Sequence, residues 1–368
     1  MVYGIDLGTT YSCISKLDQN GNPVIISNII DASDSLASAV YFENEDNVIV
    51  GESAKSMAEI DADRVVQFVK REIGKKDACT YEFDGKNYTP VNISAIILRR
   101  LRQMAEEQGE TVDEVVIACP AYFGSNEKHA TIEAGVEAGM KVLTLLVEPV
   151  AAVLSYGAYK YENGHTILIY DLGGGTFDVT IVKLYLVTNE EGEEVRTVKI
   201  VSTGGSDRLG GKDWDDILYD YIFQVCCDEY GLYPEEIDAE TRQSLREQIE
   251  KIKKRLSVHL QVRVLLKVNG TPISIPVTRE LFESITEDKV SETMAFVEET
   301  IGKAVRKYPD LEIDTVLLAG GSCQMPMIQA ALENRFPGKV HSEDPNLVVA
   351  KGAAIYGNHL AIRNSKED

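Results

Sequence analysis

The chain has 368 residues, with 37 Lys and Arg against 59 Asp and Glu and a formal net charge of -22. Such a surface repels a polyanion wherever no local basic patch exists, which excludes nonspecific nucleic-acid binding. At 44% hydrophobic and 26% charged residues, the composition is that of an ordinary globular protein long enough for two domains or lobes, with no apolar run of bilayer length.

The first element is a short strand, Tyr3-Gly4-Ile5-Asp6, which stops at an aspartate and turns through Leu7-Gly8-Thr9-Thr10 into a second strand from Tyr11. A polar turn at 18–22 leads to a third strand at 23–26. The first strand starts at Val2 and leaves no room for a signal peptide, so a cytoplasmic protein is expected. Short strands follow at 38–43 and 47–50, then a helix-like 53–60. In Phe68-Val69-Lys70-Arg71-Glu72, spacing alone puts the Lys-Arg pair on a solvated helix face. Residues 81–88 read as a hairpin turning at Asp84-Gly85. Residues 92–108 read as an amphipathic helix with Ile93, Ile96, Ile97, Leu101 and Met104 on its apolar face.

Val115-Val116-Ile117-Ala118-Cys119 has the continuous apolar character of a strand buried on both faces, and a helix at 126–137 follows it. The next strand, 142–147, ends at Glu148-Pro149, where the proline suits the first turn of a helix running to Tyr156. Open α/β sheets put chemistry at strand C-termini, and a helix dipole alone also favours a glutamate there.

The chain is organised around Ile169-Tyr170-Asp171-Leu172-Gly173-Gly174-Gly175-Thr176-Phe177-Asp178. An apolar strand stops at an aspartate and turns through three glycines into a second strand. Such a turn lets backbone N–H groups approach phosphate oxygens, although a tight hairpin uses glycine for conformational reasons as well. The same device opens the chain at Asp6-Leu7-Gly8-Thr9. Each copy continues through a polar turn to a third strand, the second through the acidic run at 189–194 into 195–201, so two related halves are implied.

Ser202-Thr203-Gly204-Gly205 precedes Leu209-Gly210-Gly211-Lys212-Asp213-Trp214, which opens a helix to about Tyr230. On a long charged helix at 234–257, Glu250, Lys253, Lys254 and Ser257 share one face, as salt-bridge decoration also explains. Strands at 261–268 and 272–277 precede a helix-rich stretch to Lys307. A buried strand at 315–319 ends in Gly320-Gly321-Ser322, and Pro326 starts the helix after it. The last helix, 346–362, holds Lys351-Gly352-Ala353-Ala354, small residues that permit close packing. The six cysteines lack a CxxC pair and read as reduced core residues, and the five histidines lack metal-ligand spacing. Neither a GxxxxGK[ST] nor a strand-borne GxGxxG occurs, so a bound nucleotide would be held by hairpin turns.

Taken together, IDLGTTYS, DLGGGTFDV, VEPVAAV and AGGS, in this order, resemble the nucleotide-binding domain of the seventy-kilodalton heat-shock chaperones, the DnaK type, across essentially the whole chain. The resemblance implies the α/β fold of the actin, hexokinase and heat-shock ATPase superfamily. Two ribonuclease-H-like lobes hold a nucleotide cleft between them, and each carries a smaller subdomain. The lobes would be 1–164 plus 345–368, with an insertion at about 36–111, and 165–344, with an insertion at about 211–283.

Carried over by position, Gly8, Thr9, Thr10 and Tyr11 form one phosphate hairpin and Gly173, Gly174, Gly175 and Thr176 the other. Asp6 and Asp171 would hold Mg2+, largely through its water, and Asp6 and Asp178 suit K+. Lys70 stands over the terminal phosphate, Glu148 positions or deprotonates the attacking water with Asp178 nearby, and Thr176 lies beside the γ-phosphate. Gly204 and Gly205 join the nucleotide set. Gly320, Gly321 and Ser322 lie by the adenosine, Glu250 and Lys253 at the ribose, and Ser257 near the base, while Trp214 falls in the rotating lobe near the cleft.

Three positions depart from the family pattern. Lys254 and Gln324 stand where arginines are usual, and Asn346 where an aspartate is, so weaker ATP and ADP binding is expected. No leucine-rich linker or peptide-binding domain follows the last helix, so client polypeptides would need a domain missing here. A monomer is expected, with a J-domain cochaperone and a nucleotide exchange factor as partners and neither nucleic acid nor membrane. A sugar kinase or a filament-forming ATPase of the same superfamily is the alternative.

Overall fold

The computed structural model describes residues 1–58, 60–157, 161–188, 194–230, 237, 239–268 and 271–367. Of the expected polar turn at 189–194, residues 189–193 lie outside this set, as do 234–236 and 238 of the expected charged helix at 234–257.

In the first half, β1 (Val2–Asp6), β2 (Tyr11–Leu17) and β3 (Pro23–Ile25) form the expected antiparallel meander. An inserted unit follows, made of β4 (Leu36–Ala37), β5 (Ala39–Asn44), β6 (Asn47–Val50), α1 (Glu52–Met57), β7 (Val65–Gln67), β8 (Tyr81–Phe83), β9 (Lys86–Tyr88) and α2 (Pro90–Glu106). The hairpin β8–β9 turns at Asp84 and Gly85, both with positive φ, 53° and 77°, as a two-residue hairpin with a matching twist requires. Helix α2 starts where Thr89 and Asn92 form a reciprocal capping box. After the insertion, β10 (Glu114–Cys119), α3 (Ser125–Glu137), β11 (Lys141–Val147) and α4 (Glu148–Ser155) complete the first half.

The second half repeats the plan with β12 (Thr166–Leu172), β13 (Phe177–Thr188) and β14 (Glu194–Ser206). Its insertion contains α5 (Gly211–Tyr230), α6 (Ala239–Val258), β15 (Gln261–Val268), β16 (Thr271–Thr278) and α7 (Arg279–Ile285). Helix α8 (Glu287–Lys307), β17 (Thr315–Ala319), α9 (Pro326–Arg335), β18 (Val340–His341) and α10 (Val348–Glu367) end the chain. The main sheets run β11-β10-β1-β2-β3 and β18-β17-β12-β13-β14. Each is an antiparallel meander extended by two parallel strands, so the two lobes share one topology.

Strand composition explains the layering. β17 is buried at every position, as a central strand covered on both faces must be. β15 alternates exposed and buried residues, as a hairpin with one wet face does. Separate apolar cores fill the two lobes. A third core takes Val2 and Val116 from the first sheet, Ile167, Ile169 and Leu317 from the second, and residues of α4 and α10. The lobes are thus joined at their base. There α10 comes close enough that a Cβ on Gly352 would lie 1.8 Å from Ala151 O, and one on Gly4 2.1 Å from Ala354 N.

Two expectations change. Cys13, Cys119, Cys226 and Cys323 are buried, but Cys227 is half-buried and Cys79 exposed, because Cys79 lies between Asp77 and Thr80 in a polar loop with no apolar face to cover it. The last helix starts at Val348 instead of Asn346. Among the described residues no disulfide is formed. Among the described residues, no helix is long and apolar enough to cross a membrane.

Candidate functional site

The two aspartate-tipped hairpins face each other across the lobes. A Cβ on Gly174 would sit 2.4 Å from Thr10 Oγ1, and that hydroxyl oxygen is buried without a partner among the described residues. In the first hairpin, Ser38 holds the turn from behind: its hydroxyl donates to Gly8 O at 2.8 Å and its N–H to Thr10 O at 2.8 Å. Gly8 is needed for tightness, since a Cβ there would meet Tyr11 O at 1.9 Å.

In the second hairpin, the N-terminus of α5 plays the corresponding part. Gly211 N–H donates to Gly173 O at 2.9 Å and Lys212 N–H to Gly174 O at 2.8 Å. Ser322 Oγ also donates to Gly173 O, at 2.9 Å. A trans peptide points its C=O and the following N–H in opposite directions. Carbonyls held from behind therefore turn the N–H groups of the next residues to the other side, the arrangement of an anion-binding turn.

Around the hairpins stand Asp6, Lys70, Glu148, Asp171 and Asp178. Asp171 and Asp178 are paired across β12 and β13, Asp6 ends β1, and Glu148 starts α4 where β11 stops. Lys70 Nζ donates to Glu148 Oε1 at 2.6 Å, with each side chain only 10% exposed. The Lys-Arg pair lies on a 3-10 turn, Val69–Arg71, not on a solvated helix face. Burial pushes the carboxyls of Asp6 and Asp178 up to about 7, with the Glu148 charge adding to both and Lys70 opposing. Asp171 is pushed well above the usual carboxylate range by burial, then by Glu148, Asp178 and Asp6. Burial works against the charged Lys70, but Glu148 and Asp6 outweigh it and raise its pKa.

The crowded carboxylates leave negative charge that one lysine does not balance, and hard oxygen donors of this kind suit a hydrated divalent cation. Among the described residues, no three such side chains converge closely enough to chelate a metal directly.

Other expected residues surround this centre. Glu250 and Lys254 of α6 meet Tyr11 and Lys55 of the first lobe: Tyr11 OH donates to Glu250 Oε1 at 3.1 Å, Lys55 Nζ donates to Tyr11 OH at 2.8 Å, and Lys55 and Glu250 form an ion pair. Lys254 pairs with Glu250 at 2.8 Å and lies 4.9 Å from the Tyr11 ring centroid. Lys253 is buried and donates to Gly211 O and Asp215 Oδ2, both at 2.7 Å. Ser257 Oγ turns back to Lys253 O at 3.4 Å.

Gly320, at φ 83°, abuts the hairpin, since a Cβ there would lie 2.7 Å from Asp171 Oδ1. Gly321 lies open beside Asn346. Gln324 Nε2 donates to Asn346 Oδ1 at 3.2 Å, so two of the departures from the family pattern bond each other. Gly204 packs on α8, where a Cβ would meet Thr300 Oγ1 at 2.2 Å, and Gly205, at φ 138°, backs onto Phe177 O. Trp214 is fully buried on α5.

A family model described as Hsp70 protein matches residues 2–368. The chain belongs to the Hsp70 family. It is similar to the proteins named Chaperone protein DnaK of Thermotoga petrophila, Thermotoga maritima and Thermotoga neapolitana, each 37% identical over 371 residues that cover 98% of this chain. The chain spans 59% of the length of those relatives. The repeated sheet topology and the cleft between the lobes are the two-lobed Hsp70 fold. Lys55, Arg71 and Asp215 touch the expected residues Glu250, Gly175 and Lys253, and sequence reasoning passed over them; only the Lys-Arg dipeptide offered a signal, and it read as solvated.

Proposed function

We propose that the cleft binds ATP and ADP and hydrolyses ATP slowly by in-line attack of water on the γ-phosphate. The observation that carries this reading is the apposition of two backbone-donor hairpins around Asp6, Lys70, Glu148, Asp171 and Asp178. Phosphoryl transfer needs positioning and charge neutralisation more than covalent help. The turns at Gly8–Tyr11 and Gly173–Thr176 bind the phosphates, and Lys70 neutralises the terminal one. Glu148, fixed by its bond to Lys70, orients the water, with Asp178 beside it as a carboxylate near neutrality able to take its proton. Asp6 and Asp171 would hold Mg2+, which would supply charge neutralisation at the phosphates. Asp6 and Asp178 are the oxygen donors offered to K+.

The adenosine would lie along Glu250, Lys253, Lys254, Ser257, Gly320, Gly321, Ser322, Gln324 and Asn346, with Gly204 and Gly205 behind the phosphates. Lobe boundaries at 164/165 and 344/345 complete the scheme, supported by the sheet repeat. Membership of the Hsp70 family favours water over a sugar hydroxyl as acceptor, and protein folding over filament formation. J-domain cochaperones, nucleotide exchange factors and client polypeptides are the partners this implies for a monomer, the clients through regions this chain does not span. A cytoplasmic setting fits cysteines that form no disulfide among the described residues. Turnover of ATP in oxygen-18 water tests the chemistry: hydrolysis puts one heavy oxygen into the released phosphate, whereas transfer to an added sugar leaves a phosphorylated sugar and no labelled phosphate.

A further inference from the structure

The carbonyls of Gly173 and Gly174 are held by donors of their own lobe. The third carbonyl of the turn is different. Gly175 O accepts from Arg71 Nη2, and Arg71 belongs to the first lobe. By the peptide geometry that orients the other two, the hold on Gly175 O sets the direction of the Thr176 N–H.

Arg71 is placed with care. Its turn is entered through Phe68 at φ 59° and ψ 23°, a left-handed conformation that a bulky aromatic residue keeps only where its surroundings impose it. The guanidinium lies 5.4 Å from the Phe68 ring centroid and against Gly175, where a Cβ would come within 2.6 Å of Nη2. Arg71 Nε is buried without an acceptor among the described residues, a donor that a bound anion or its water would satisfy.

We propose that Arg71 is a positioning residue that makes the last backbone donor of the phosphate turn conditional on lobe closure. With the lobes together, Arg71 fixes the Gly175–Thr176 peptide for the terminal phosphate. With the lobes apart, the grip is lost and that donor is free to turn away, so closure and recognition of a third phosphate become one event. This rests on reading the cleft as a nucleotide site.

The test compares ATP and ADP affinities by titration calorimetry for the native chain, Arg71→Met, Arg71→Lys and Gly175→Ala, with thermal melts as a folding control. Arg71→Met and Gly175→Ala should each weaken ATP about ten- to a hundredfold, the range of one charged hydrogen bond, and ADP far less. Arg71→Lys, able to reach the carbonyl with a single donor, should fall between. The double variant Arg71→Met with Gly175→Ala should lose little more than either alone, since both break one contact. Equal losses for ATP and ADP, or a lowered melting temperature with native affinities, would assign Arg71 a structural role and overturn the proposal. If the native chain binds both nucleotides and the variants keep its ATP-to-ADP ratio, the proposal alone falls. If the native chain binds neither, the nucleotide reading falls and takes the proposal with it.

Discussion

Lys70 and Arg71 are adjacent in the chain, yet one pairs with Glu148 of its own lobe and the other grips Gly175 of the opposite lobe. Glu250 shows the same economy between lobes. Burial would raise its carboxyl, but Lys55 and Lys254 overcome that and hold it down at about 2. A carboxyl depressed on folding contributes stability above its unfolded value, 4.5, and loses it as pH falls toward 2. Melting temperature followed downward through that window should fall more steeply for the native chain than for Glu250→Gln; parallel curves would mean that the bridge contributes nothing. On the adenosine side, Lys254 is engaged with Glu250 and Tyr11, and Gln324 with Asn346. Arginines there would stack on a purine better, so Lys254→Arg with Gln324→Arg should tighten ADP binding roughly fivefold, the effect of about 1 kcal/mol. An unchanged Kd would show that these departures do not limit affinity. Motif residues were legible because their chemistry lies within a few consecutive positions. Lys55 and Arg71 were not, because their partners Glu250 and Gly175 are 195 and 104 residues away, beyond any helix or strand period.

Among the elements, the long apolar strands and amphipathic helices were readable from their periods, and the hairpin at Asp84-Gly85 from its turn residues. β4, β7 and β18, of two or three residues, are too short to show an alternation. The small residues of α10 were readable as a packing surface, and the structure supplies their partners, α4 and β1. Gly352 is the tightest of these contacts. Its neighbour is the Ala151 backbone, which cannot rotate away as a side chain would. Gly352→Ala should therefore cost about 1–3 kcal/mol by overpacking, read as a lower urea midpoint at unchanged slope. A midpoint equal to the native one would mean that α4 and α10 separate freely.

At the scale of the molecule, an apolar base shared by both lobes lies opposite a cleft bridged by polar contacts: Arg71 to Gly175, and Tyr11 and Lys55 to Glu250. An apolar base is costly to open, whereas polar contacts exchange readily with water, so lobe motion is expected to hinge at α4 and α10 and open at the cleft. The duplicated topology was legible in the repeated Asp-Leu-Gly turns. The bridges that close the cleft were not, since they form only once both lobes are folded. The most direct test of the account is single-turnover phosphate release from ATP with Mg2+ and K+, comparing the native chain with Lys70→Ala and Thr176→Ala. Slow release by the native chain, slowed further in both variants, is the predicted result. Bound nucleotide without release by the native chain, or one rate for all three proteins, would contradict it.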